Sequence, residues 1–217
     1  MRPERFNTWP LVRRLALHAR RRLEVAPGLR PRLPIAGTCF VDLSLPPLCV
    51  LRRAGGCVAD GLVTALPLAS AAFDLVAAFD VVEHVEDDDA AFAELARVTA
   101  PGGALLVSVP LHQAAWTAFD AEVGHARRYE PDRLLALLAA AGFQVRQSAL
   151  FGMQPRSPRL VALGMRLLRS RRQRALWWYN RVFMPLGLRL APRLHLRDGF
   201  VATPKVDTVL LVCRKAA

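Results

Sequence analysis

Residues 73–85 read FDLVAAFDVVEHV, and the fold of the whole chain turns on this stretch. Leu75 to Phe79 is an unbroken apolar run, the pattern of a strand buried on both faces of a parallel sheet. Asp80, Glu83 and His84 stand where that strand would emerge. Asp87, Asp88 and Asp89 then open an amphipathic run. In open α/β sheets ligands sit outside the carboxyl ends of the strands, so Asp80 to His84 is a candidate site. The plainer alternative is a solvated strand exit.

Outward from this stretch, apolar strands and amphipathic helices alternate. Upstream, Trp9 to Arg22 reads as a helix with Leu11, Leu15 and His18 on one stripe. Leu23 to Ala26, Thr38 to Asp42 and Cys57 to Gly61 read as short strands, and Pro46 to Ala54 as a helix. Downstream come a helix over Asp87 to Thr99, with Phe92, Leu95, Ala96 and Thr99 inward, and a Pro101-Gly102-Gly103 turn. A strand over Ala104 to Val109, a polar loop from Leu111 to Tyr129, a helix from Glu130 to Gly142 and a strand over Phe143 to Phe151 follow. Helices are expected at Leu160 to Leu168 and Ala175 to Phe183, and a last strand at Val206 to Cys213. This alternation predicts a doubly wound α/β sheet.

At 217 residues the chain is read as one domain, and at 53% hydrophobic it has enough apolar surface for a full core. No run of 18 apolar residues predicts a membrane span, and the basic first 22 residues lack a signal-peptide core. Four cysteines without CxxC spacing predict free thiols in a reducing compartment, no metal site, and a cytoplasmic location. Charge is uneven. Nine Arg and two Glu give residues 1–35 a net +7, five Arg against thirteen acids give residues 36–130 a net −8, and sixteen bases against three acids give residues 131–217 a net +13. Nucleic acid, an anionic bilayer or an acidic substrate would suit the basic flanks. Since 28 of the 30 bases are Arg, compositional bias explains them equally well.

Three strand ends carry acids in turn, Asp42, Asp60 and Asp80. In nucleotide-binding α/β folds an acid about 20 residues beyond the first strand accepts hydrogen bonds from ribose hydroxyls. Asp42 follows Glu24 at that distance. Asp60 is placed to accept from the exocyclic amine of an adenine.

The strings VDLS (41–44), ADG (59–61), LPLASAAFDLVAAFDVVEHVED (66–87) and LARVTAPGGALLVSVP (95–110) together resemble the class I S-adenosylmethionine (SAM)-dependent methyltransferases of small molecules. DAEVGHARRYEPDRLLALLAAAGF (120–143) is similar to a GHxRRY-containing branch of that group. The resemblance implies a Rossmann-like sheet of seven strands, mostly parallel with an antiparallel last strand. It implies a helical cap over residues 1–21, a cofactor-binding core over 22–151, a helical lid over 152–203 and a final strand over 204–217. By the same resemblance Glu24 and Gly28 belong to the first SAM loop, Asp42 holds the ribose, Asp60 and Gly61 face the adenine, and Phe79 and Asp80 lie beneath the cofactor. Glu83, His84 and the loop around His125 face the substrate.

His84 and His125 are the candidate bases, with Tyr129 a weaker one. The alternatives are a helix-capping His84 and a loop-bracing His125. Arg127 and Arg128 would bind an anionic group of the substrate, or one of them would pair with Asp120 or Glu122. Trp177, with Trp178, Tyr179 and Phe183, would line an apolar pocket, pack as core, or rest on an anionic bilayer, which would place the protein peripherally at the inner membrane surface. The first loop departs from the (D/E)xGxGxG pattern, with Ala26 and Arg30 at glycine positions. In one reading SAM binds a remodelled loop, with Arg30 or Arg32 at the methionine carboxylate. In the other the chain is a catalytically inactive scaffold. A nucleic-acid methyltransferase is a further alternative, and the absence of an NPPY-type tetrapeptide after the fourth strand argues against it.

Overall fold

The computed structural model describes residues 2–151, 164, 166, 170–190, 193–201 and 208–216. Its centre is one eight-stranded sheet: β1 (Arg22–Val25), β2 (Thr38–Asp42), β3 (Cys57–Asp60), β4 (Phe73–Phe79), β5 (Thr99–Pro110), β6 (Phe143–Leu150), β7 (Arg197–Asp198) and β8 (Thr208–Lys215). Their order is β3-β2-β1-β4-β5-β8-β6-β7. The strands from β3 to β5 are parallel neighbours, whereas β8 runs antiparallel between β5 and β6. The expected antiparallel last strand is present. The expected count of seven is corrected by β7, a two-residue strand antiparallel to β6.

β4 is the stretch on which the sequence reading turned. Its register places Leu75 and Val76 beside Arg22 and Leu23 on one side and Ala104 and Leu105 on the other. Side chains alternate between faces with period two. Val76 and Ala78 face a cluster with Phe92 and Leu95 of α3 (Asp88–Val98) and Leu134 and Leu138 of α5 (Pro131–Ala140). Leu75 and Ala77 face a second cluster with Leu11, Val12 and Ala16 of α1 (Trp9–His18). A buried leucine contributes roughly 1.5–3 kcal/mol, so both faces of β4 are strongly held.

α1 has a particular task. Parallel neighbours need a crossover of about a dozen residues, usually helical. Residues 26–37, between β1 and β2, form no helix. Pro27, Pro31 and Pro34 explain this, since each removes a backbone donor and restricts its neighbour. The crossover contributes buried Leu33, and α1 joins it over the sheet. His18, expected on the same stripe as Leu11 and Leu15, is exposed, and Val12 and Ala16 take the inner positions instead.

The other helices start where local chemistry dictates. Pro lies in the first turn of α2 (Leu45–Arg53) and of α5. The Asp87 carboxylate accepts from Ala90 N at 2.9 Å and caps α3. A short α4 (Ala118–Val123) lies inside the expected polar loop, started by a capping box between Thr117 and Asp120. Helices Arg172–Trp178 and Met184–Leu190 flank a π-helical stretch, Tyr179–Phe183. Most of the expected helix at Leu160 to Leu168, and the start of the last strand at Val206, lie outside the described residues. Among the described residues no helix is long and apolar enough to cross a membrane.

Candidate functional site

The sheet order reverses between β1 and β4, the place where sheets of this kind open a ligand crevice at the carboxyl ends of their strands. Pairing sets what stands there. Val25 is level with Val41 on one side and Ala78 on the other, and Asp42 is level with Asp60. Ala26, Asp42, Asp60 and Asp80 therefore rim one crevice.

The first loop is built around two acids. Asp42 Oδ2 accepts from Gly28 N at 3.0 Å, and its Oδ1 accepts from Ser44 N at 2.8 Å. Buried Glu24 takes Arg32 N on both carboxylate oxygens and Leu33 N on Oε2, at 2.8 to 3.0 Å. Glu24 therefore shapes the first loop from below. Burial pushes its carboxyl up to about 7, against the pull of the Leu33 and Arg32 amides and the Arg32 charge. Ala26 adopts φ 50°, the left-handed conformation that a glycine would take without strain. The turn is kept although its usual residue is not. Arg32, considered above for a methionine carboxylate, lies over the Phe6 ring at 3.9 Å and near Phe79 and Phe151.

These residues fit a nucleoside. Each Asp42 oxygen uses one lone pair on an amide and keeps another for a vicinal diol. Asp60 is exposed beside it. Leu43 and Leu62, 65% and 50% exposed, follow the two acid-bearing strand ends and put apolar surface beside them. They escaped the sequence reading, although an apolar residue just beyond each acid or Asp-Gly pair was the available signal. A side chain at Gly61 would meet Pro67 Cδ at 2.6 Å and Val41 Cγ1 at 3.3 Å, so glycine is needed here for packing.

The β4 exit forms the other side. Asp80 adopts φ 55°, and its Oδ1 accepts from Ser108 Oγ at 2.8 Å. It keeps exposed surface, yet desolvation by the surrounding protein raises its carboxyl, against the help of Ser108, Arg32 and His84. Phe79 is half-buried beside the α1 cluster.

After Asp80 the backbone makes a 3-10 turn over Val82–His84, and a hydrogen-bonded loop closes on it. Ala126 N donates to Glu83 O at 2.7 Å, and Tyr129 Oη donates to Val82 O at 3.2 Å. These bonds bring His84 and His125 together, with ring centroids 4.7 Å apart and planes at 81°. Glu83 is 1% exposed. Burial, then the nearby Asp80 charge, raises its carboxyl well above 4.5.

His84 Nδ1 lies 3.1 Å from Gly124 O, and His125 Nδ1 lies 2.9 Å from Asp120 Oδ1. A carbonyl and a carboxylate only accept, so each Nδ1 carries the hydrogen. Burial and the His84 charge lower His125, against the pull of Asp120. With Nδ1 carrying the hydrogen, the lone pair of the neutral ring is on Nε2. His125 braces its loop through Asp120. His84 does not cap α3, since Asp87 does so.

Three residues considered for substrate contacts are tied up within the protein, and the alternative of an arginine paired with Asp120 is the one found. Arg128 is buried and makes a bidentate pair with Asp120, Nε to Oδ1 at 2.9 Å and Nη2 to Oδ2 at 3.0 Å. Despite burial, that pair and the Thr117 bonds keep Asp120 below the usual carboxylate range. Arg127 Nη1 pairs with Asp88 at 2.6 Å and its Nη2 donates to Glu86 O. Tyr129 is fully buried, packs edge-on against Phe92, and has its phenol pushed upward by burial. Arg127, Arg128 and Tyr129 thus hold the loop that carries His125. A charged cavity of about 700 Å³, lined by Asp87, Asp88, Arg127, Gln113, Glu130 and Arg133 among others, lies beside this clamp and not over Asp42 and Asp60. Trp177 is exposed, with its ring 5.2 Å from that of Trp178.

Residues 34–107 match the family described as "Methyltransferase domain". A protein of Mycolicibacterium smegmatis named a probable SAM-dependent methyltransferase is 37% identical over 87 residues, 39% of this chain and 34% of that protein. A Mycobacterium tuberculosis protein of the same description is 38% identical over 80 residues, 36% of this chain and 29% of that protein. The chain thus spans about a third of the length of these relatives in the matched region. Among solved structures, a SAM-dependent methyltransferase of Thermotoga maritima superposes with TM-score 0.61 at 17% identity, covering 96% of this chain and 93% of that one. Phosphoethanolamine N-methyltransferase 2 of Haemonchus contortus, in complex with SAM, superposes with TM-score 0.58 at 17% identity, covering 96% of this chain and 53% of that one. Residues 34–107 are thus similar to a methyltransferase domain, and the chain shares its fold with solved SAM-dependent methyltransferases.

Proposed function

We propose that this chain is a SAM-dependent methyltransferase acting on a small-molecule acceptor. The observation that carries the reading is Asp42. Its carboxylate fixes the first loop through Gly28 N and Ser44 N, and it stands level with Asp60 on the strand beside β1, from which the strand order reverses toward β4. SAM supplies an electrophilic methyl on a sulfonium, so the protein's share is binding and alignment. In this reading Asp42 binds the ribose, Leu43 and Leu62 hold the base, and Asp60 accepts from its amine. Glu24 keeps the loop in shape. His84 and His125 face the acceptor, with basic nitrogens set by Gly124 O and Asp120.

Neither an inactive scaffold nor a nucleic-acid methyltransferase is favoured by the relatives. An apolar acceptor, or one carried in a bilayer, has separate support. Trp177, Trp178, Phe183 and Leu186 are exposed, and exposed Arg174 and Arg181 accompany them. Trp at a membrane interface beside cationic side chains is a recurrent arrangement. Flotation with anionic vesicles checks it, and protein that stays at the bottom of the gradient at low salt contradicts it.

The enzyme reading is tested with methyl-labelled SAM and a panel of hydroxylated and amine-bearing acceptors. Label in one acceptor, with stoichiometric S-adenosylhomocysteine, is the expected result. Protein that binds neither compound at millimolar concentration would overturn it.

A further inference from the structure

We infer that Glu83, His84 and His125 form a site for one divalent first-row transition ion. One ligand atom from each of the three lies within 4.8 Å of the others. Ligands about 2.1 Å from a tetrahedral ion stand about 3.4 Å apart, so small side-chain rotations close the set.

The surroundings are those of a ligand set. Both imidazoles have Nδ1 committed as a donor, to Gly124 O and to Asp120 Oδ1. That arrangement fixes the tautomer and leaves Nε2 as the nitrogen with the lone pair, the usual support of a metal-bound histidine. Asp120 is itself held by Arg128 and Thr117, so the support is rigid. The third member is independently unusual. Glu83 Oε2 is buried and has no hydrogen-bond partner among the described residues. A buried polar atom without a partner calls for an explanation, and an ion is one. The chain also spends several bonds on this convergence. Glu83 O takes Ala126 N, and the Tyr129 hydroxyl and the Arg127–Asp88 pair tie the same loop down.

Two imidazoles and one carboxylate suit zinc, cobalt, iron or nickel better than calcium or magnesium, which prefer all-oxygen shells. Three protein ligands leave a coordination position open. The consequence for chemistry rests on the methyl-transfer reading. An acceptor oxygen in that position would be met by the ion and not by a free imidazole. Binding of the ion itself does not depend on that reading.

The test uses untagged full-length protein stripped with a chelator and titrated with Co2+, followed by visible absorption, and with Zn2+ by calorimetry. One ion per chain is expected, with an absorption pattern of nitrogen and oxygen ligands. His84→Ala and His125→Ala should each weaken binding by about tenfold or more, and Glu83→Gln similarly. His84 is exposed, so His84→Ala should keep its thermal transition and serve where a buried variant fails to fold. His112→Ala should leave binding unchanged. No stoichiometric binding at about 1 mM Co2+, unchanged binding in His84→Ala, or a sulfur-to-cobalt band from Cys39 or Cys57 would each overturn the assignment. S-adenosylhomocysteine titrated into the stripped protein separates the two readings, because its binding tests the cofactor crevice without the ion.

Discussion

The two sides of the crevice are held by different means. The β1–β3 side is held largely by backbone. Two carboxylates, Asp42 and Glu24, gather amide hydrogens from residues 28, 32, 33 and 44. The β4 side is held by side chains. The Arg128–Asp120 and Arg127–Asp88 pairs and the Tyr129 hydroxyl position a loop some forty residues from the turn it meets. A carboxylate that accepts from backbone N–H groups tolerates changes in neighbouring sequence, since every residue except proline carries the same donor. A side-chain clamp depends on each partner. This difference explains how the first loop can lose glycines at Ala26 and Arg30 and still close on Asp42.

The largest break of this contrast is predicted at the clamp. Arg128→Ala leaves Asp120 buried without its guanidinium, a change that costs about 3–5 kcal/mol. The melting temperature should fall sharply, and acceptor-side function should fall with it. A shift of a degree or less would mean that the clamp is not what holds the loop.

The next effect is on pH dependence and belongs to the other side. Glu24 has an ordinary value of 4.5 and about 7 in the folded chain. Between those values the folded state keeps a proton that the unfolded state has released. Stability is therefore full below 4.5, falls as pH rises toward 7, and levels beyond it, with a slope of up to about 1.4 kcal/mol per pH unit. Glu24→Gln has no proton to lose and should flatten this part of the profile in denaturant titrations. An identical slope in the variant would assign the dependence to another group.

A smaller effect is expected at Tyr129. Tyr129→Phe keeps the ring against Phe92 and removes the bond to Val82 O, at a cost of about 1 kcal/mol in denaturant midpoint experiments. Cofactor affinity should be unchanged, because the hydroxyl serves the other side. A loss of S-adenosylhomocysteine binding would show that the two sides are coupled.

The same contrast governs what could be read from sequence. β2 is found at its expected bounds, Thr38–Asp42, and β4 contains the expected run, because burial on both faces leaves a continuous apolar string. The acids at strand ends were legible because a strand's direction fixes which end faces the crevice. Side-chain partners were not legible. Arg127, Arg128 and Tyr129 looked like substrate contacts because sequence shows residue type and not what lies across a loop. Asp120 was seen only as an optional partner, although Thr117-x-x-Asp120 was a capping signal for a six-residue helix. Pro101-Gly102-Gly103 read as a turn, yet it lies within β5, where the pairing with β4 shifts register between Phe73 and Leu75. A bulge admits residues that would interrupt a regular ladder. β7, two exposed residues long, carries no apolar pattern at all.

The most direct measurement is the affinity of Asp42→Ala for S-adenosylhomocysteine by calorimetry, beside the unaltered chain. Removing a carboxyl side chain that accepts two ribose hydrogen bonds should cost about 2–3 kcal/mol, a loss of roughly thirty- to more than a hundredfold. Saturable one-to-one binding by the unaltered chain and that loss in the variant are the predicted results. Equal affinity in both would contradict the assignment of the β1–β3 crevice as the cofactor site.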